Sequence, residues 1–96
     1  MLDNDKTINK QSLALARKFV KALPDKVPRP TYSTDPDGIV SLDWISSKNK
    51  ILSISINPSN TLSIAWLDGE THGHSVQKFS GKIPQSIIDL YKRIIC

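Results

Sequence analysis

The sequence predicts an α+β fold: an N-terminal helix, a three- to four-stranded antiparallel β-meander and a C-terminal helix, packed as a two-layer sandwich. Three observations predict it. Apolar residues recur at helical spacing near each end of the chain. Between those ends, segments alternate apolar and polar residues with a period of two, as a sheet wet on one side requires. Short stretches rich in Ser, Asn, Asp, Gly and Pro separate these segments. The chain has 96 residues and is read as one domain, 1–96. A chain of this size buries roughly 65% of its unfolded surface, enough for a single core.

The first helix is expected over residues 5–23. Ile8, Ser12, Leu15, Ala16, Phe19, Val20 and Leu23 share one arc, and Lys6, Lys10, Arg17, Lys18 and Lys21 the opposite one. Asp5 or Thr7 is the expected cap. Pro24 stops the helix, because it restrains Leu23 and has no N–H to donate. Residues 24–37 read as a Pro-rich crossover and turn, with Pro24, Pro28 and Pro30 favouring an extended chain. Asp35-Pro36-Asp37-Gly38 fits a type I turn.

Three alternating strands follow. Residues 39–45 put Val40, Leu42 and Trp44 on one face; residues 50–57 put Leu52, Ile54 and Ile56 there; residues 61–67 add Leu62, Ile64 and Trp66. Ser46-Ser47-Lys48-Asn49 and Asn57-Pro58-Ser59-Asn60 have hairpin length and turn composition. A weaker strand over residues 71–79 alternates poorly, and Lys78 suits a sheet edge. Gly38, Gly69, Gly73 and Gly81 are all read as turn glycines. The last helix is expected over residues 84–95, with Pro84 at its first position and an apolar stripe of Ile87, Ile88, Tyr91, Ile94 and Ile95. Lys92 and Arg93 suit its last turn. Both apolar helix faces then cover the apolar sheet face.

Composition narrows the function. Cys96 is the only cysteine, so internal disulfides and thiolate metal clusters are excluded, and a cytoplasmic location is expected. Residues 1–10 hold no apolar run, unlike a signal peptide. No apolar run approaches the ~18 residues of a membrane span. The net charge of +4 is unevenly laid out. Residues 1–30 hold seven bases and three acids, whereas residues 31–47 hold three acids and no base.

Candidate sites are few. His72 and His74 stand two apart, so on a strand they share a face, and Asp68 and Glu70 are near enough to add oxygen ligands. With no third histidine or usable thiol, a polar hairpin arm is the reading taken and no metal is predicted. Ser41, Ser46, Ser47, Ser53, Ser55 and Ser63 fall on outward positions or in turns, none in a nucleophile elbow. Asp35, Asp37 and Asp43 cluster in sequence, where turn chemistry and a wet strand face account for them. The basic face of the first helix is the better lead. Lys6, Lys10, Arg17, Lys18 and Lys21 meet no acid between Asp5 and Asp25, and such a face suits phosphates or an acidic protein surface. Few exposed aromatics are expected, with Tyr32 the accessible one. Trp44 and Trp66 share the apolar sheet face and are read as core.

The Pro-rich crossover, then Asp35-Pro36-Asp37-Gly38-Ile39-Val40-Ser41-Leu42-Asp43-Trp44, a Leu/Ile/Ser strand and the Asn-Pro-Ser-Asn turn resemble a group of small uncharacterised bacterial proteins. These share a Pro-Asp-Gly, strand, acidic-Trp signature before a β-meander. The resemblance spans residues 24–90 and implies products of variable genome regions, with antitoxin, immunity or anti-defence (anti-CRISPR-like) roles. It carries no catalytic residue over. The expectation is a non-enzymatic protein-interaction module with no cofactor and no membrane association, as monomer or homodimer. Its expected partner-binding residues are Lys6, Lys10, Arg17, Lys18, Lys21, Asp35, Asp37 and Asp43. The alternatives are a nucleic-acid binder using the basic helix and a small metal-dependent hydrolase around His72 and His74.

Overall fold

A computed structural model describes residues 8–95. The chain runs α1 (Lys10–Ala22), β1 (Thr31–Thr34), β2 (Val40–Ser47), β3 (Lys50–Asn57), β4 (Thr61–Asp68), β5 (Thr71–Lys78) and α2 (Gln85–Ile94). The strands form one antiparallel sheet in the order β1-β2-β3-β4-β5. This is the expected α+β meander with one strand more than expected. The extra strand, β1, lies in the segment read as crossover and turn. Its four residues are all exposed, so no apolar alternation marks it. Pairing with β2, from Thr31 opposite Asp43 to Thr34 opposite Val40, makes it a strand.

Helix α1 begins at Lys10, later than residue 5. Asn9 has extended dihedrals, and its side-chain oxygen accepts from the Ser12 N–H at 2.9 Å, capping the first turn. The expected caps Asp5 and Thr7 lie outside the described residues. Ile8 precedes the helix and is exposed rather than part of its apolar stripe. The helix ends where Pro24 requires, and the Leu23 N–H returns to Val20 O. In α2, Pro84 occupies the capping position rather than the first helical one.

The expected inner sheet face forms. Val40, Leu42, Trp44, Leu52, Ile54, Ile56, Leu62 and Ile64 are buried, and Trp66 is half-buried against the same core. Helix α1 covers it with Leu15, Ala16 and Phe19, and α2 with Ile87, Tyr91 and Ile94. Phe79, just past β5, meets Phe19 with ring centroids 5.5 Å apart. Burying a side chain of this size stabilises the fold by about 1.5–3 kcal/mol.

Two polar contacts fix the layers in register. Ser12, fully buried in the α1 stripe, donates from Oγ to Ile56 O at 2.6 Å and accepts the Val40 N–H at 2.8 Å. One hydroxyl thus ties α1 to both β2 and β3. Trp44 Nε1 donates to Pro28 O at 2.8 Å, and its ring meets Tyr91 edge-on at 6.2 Å. The crossover is thereby pinned to the core.

Gly73 departs from its reading as a turn residue. It sits within β5, opposite Trp66. A Cβ there would lie within about 3.0 Å of three atoms of the Trp66 indole. The glycine lets the ring lie against the β5 backbone. By contrast, Gly38 closes the expected Asp35–Gly38 turn, with its N–H on Asp35 O and a φ of 85°.

Candidate functional site

Among the described residues, no helix lies on the outer face of the sheet. The strand register lays its side chains out in rows. Ile45, Ile51, Leu67 and His72 form one row across β2 to β5. Asp43, Ser53, Ala65 and His74 form the next, and Ser41, Ser55, Ser63 and Val76 the third. β1 adds Thr31 beside Asp43 and Ser33 beside Ser41.

The hydroxyl rows are knitted together. Asp43 accepts from Ser33 Oγ at 3.0 Å and from Ser53 Oγ at 2.6 Å, so its carboxylate links three strands. Ser41 and Ser55 share a 2.8 Å hydrogen bond, and Asn57 Nδ2 donates to Ser63 Oγ at 3.1 Å. These serines occupy the outward positions expected of them. None is arranged as a nucleophile beside a histidine among the hydrogen bonds of the described residues.

The first row is different. Ile45 is 64% exposed. Ile51 and Leu67 line a shallow hollow of about 220 Å³ together with Ser53, Ala65 and Trp66. This apolar strip was not foreseen. The signal was nevertheless in the sequence. Trp44-Ile45, Ile51-Leu52 and Ala65-Trp66-Leu67 place apolar residues on both faces, and the antiparallel connections bring all three breaks to one end of the sheet.

His72 and His74 do share the outer face, opposite Leu67 and Ala65, and both are exposed. Asp68 is engaged elsewhere, with Lys50 Nζ at 3.3 Å and Arg93 Nε at 3.8 Å. Among the described residues, no three His, Cys, Asp or Glu side chains come together to hold a metal ion.

The remaining candidates do not converge on one patch. Asp35 accepts the Asp37 and Ile39 N–H groups, each at 2.9 Å, through one side-chain oxygen. It shapes the turn. Asp37 is exposed in that turn, and Asp43 lies on the outer face, across the sheet from α1. Lys6 lies outside the described residues. Lys10, Arg17, Lys18 and Lys21 are exposed on α1. At about 100° per residue, Lys10, Arg17 and Lys21 fall within ~40° of each other, and Lys18 is turned to the side. The crossover brings Arg29, unassigned by the sequence pattern, and Tyr32, the aromatic expected to be accessible, beside Arg17 and Lys21.

No helix of the described residues is long and apolar enough to cross a membrane. Neither a family model, a curated protein nor a solved structure matches the chain, so its function is read from these two surfaces, the outer sheet face and the basic helix with its crossover.

Proposed function

We propose that this chain is a non-enzymatic module that binds another protein, of the antitoxin, immunity or anti-defence kind, through the outer face of its sheet. The observation that carries the reading is the apolar row of exposed Ile45 with half-buried Ile51 and Leu67 on a face otherwise rich in hydroxyls. Scattered exposed apolar residues are ordinary on any surface, but a contiguous row on a rigid sheet is a docking feature. Small Ser, Thr and Ala side chains beside the strip let a partner approach the sheet closely. The partner that fits is a protein with a flat apolar strip, rimmed by amide or hydroxyl groups that can replace water on the serine rows. The antitoxin, immunity or anti-defence kind of role rests on the resemblance read from the sequence of residues 24–90 alone, since no family model, curated protein or solved structure matches the chain.

The test is co-expression of the tagged chain with the products of genes beside its own, followed by a titration of the purified pair. Ile45→Asp places a charge at the exposed end of the strip without touching the core. The expected result is a stoichiometric complex that Ile45→Asp weakens at least about tenfold, the scale of a hot-spot residue. A complex unaffected by Ile45→Asp, or no complex with any of those products, overturns the proposal.

A further inference from the structure

On the helical side of the sheet lies a cleft with a different chemistry. After Pro24 the chain turns back, with the Val27 N–H on Pro24 O, and runs beside the end of α1 into β1. Arg17, Val20 and Lys21 of α1, Arg29 of the crossover and Tyr32 of β1 together line a cleft of about 300 Å³. It adjoins a second hollow of about 460 Å³, which shares Val20, Lys21 and Arg29 and is floored by Leu23 and Val27. Among the described residues, Arg17, Lys21 and Arg29 have no ion-pair partner, whereas Lys50 and Arg93 share Asp68. Three cations against one neighbouring acid create a local field that favours an anion. Among the described residues lining the two hollows, Asp25 is the one acid.

Tyr32 decides which anion. Its side chain is 44% exposed, on the helix-side register of the edge strand opposite Leu42. No core packing requires an aromatic ring there. A half-exposed ring in a cleft shared with Arg17 and Arg29 offers a flat surface on which a planar base stacks, while the cations meet its phosphates. An acidic peptide would answer the charges, but its Asp and Glu side chains carry no aromatic face to stack on the ring. A duplex keeps its bases stacked inside and presents only its backbone to so small a cleft. We propose that this cleft binds single-stranded nucleic acid, with phosphates on Arg17, Lys21 and Arg29 and one base stacked on Tyr32.

Fluorescence anisotropy of the full chain with a labelled oligothymidylate of about twelve nucleotides tests this, across a range of salt. Three phosphate contacts predict a slope of log affinity against log salt of about −2, at about −0.7 per contact on a single strand. Tyr32→Ala should weaken binding about 5- to 100-fold with the slope unchanged, and Tyr32→Phe should stay within about twofold of wild type. Arg17→Gln combined with Arg29→Gln should make the slope shallower by about 1.4. Ile45→Asp, on the opposite face, should change nothing. Circular dichroism confirms that each variant is folded; Tyr32 is exposed at an edge, so its variants keep the core. The proposal is overturned by three results: no binding at low salt, equal binding by Tyr32→Ala, or a labelled polyglutamate peptide bound as tightly as the oligonucleotide.

Discussion

The two faces of this sheet are made by the same strands, yet they are held together differently. On the inner face, Leu42, Leu52, Ile54, Ile56, Leu62 and Ile64 are sealed under two helices. On the outer face, Ser33, Asp43 and Ser53 join through side-chain hydrogen bonds, while Ile45 and Val76 remain in water. The inner face stabilises the fold by removing apolar area from solvent. The outer face contributes less, because exchanging water for a neighbouring hydroxyl yields only about 1 kcal/mol net, and about 1.5–3 kcal/mol where the acceptor is the Asp43 carboxylate. A surface that is not needed for stability is free to be shaped for a partner. The same division separates the apolar and basic faces of α1.

The strongest way to break this comparison is to make one substitution on both faces. Ile54→Ala should cost about 2–5 kcal/mol, because it removes buried methyl groups and leaves a cavity. Ile45→Ala should stay within about 0.5 kcal/mol of wild type. Urea unfolding of the two variants measures the difference, and equal losses would mean that the outer strip belongs to the core.

Next in size is Ser12→Ala. It leaves the Val40 N–H and the Ile56 carbonyl buried without their partner. Each orphaned group costs about 1–3 kcal/mol, so a loss of about 2 kcal/mol or more is expected. Amide exchange at Val40 should quicken with it. A smaller loss, about 1–3 kcal/mol, is expected for Gly73→Ala, where the new methyl group meets the Trp66 ring. Combining it with Trp66→Leu should recover part of that loss in a double-mutant cycle. Additive costs would show that the close approach of ring and backbone is not the constraint.

The two tryptophans show how far the pattern could be read. Trp44 and Trp66 occupy equivalent positions in the alternation, and both face inward. Trp44 is sealed beneath Tyr91 and bonded to Pro28 O, whereas Trp66 is half-buried against Gly73. Period two determines the direction of a side chain but not what covers it. For the same reason the basic helix was legible as a row of charges. That Arg17 and Lys21 would meet Arg29 and Tyr32 was not, since 7 and 10 residues of chain and a Pro-rich reversal intervene between Lys21 and those two side chains. β1 was illegible because edge pairing selects it, and four exposed residues carry no periodic signal.

By itself the sequence determined the local elements and the core. Helical spacing, strand alternation, Pro24 and the Asp35–Gly38 turn all act over a few residues, where backbone sterics and one-sided burial decide. Tertiary structure decided the rest: the fifth strand, the Ser12 bridge, the glycine under Trp66, the apolar strip and the cationic cleft. Each depends on groups from different elements meeting at a particular distance. Only the packed register of α1, the crossover and the sheet sets those distances.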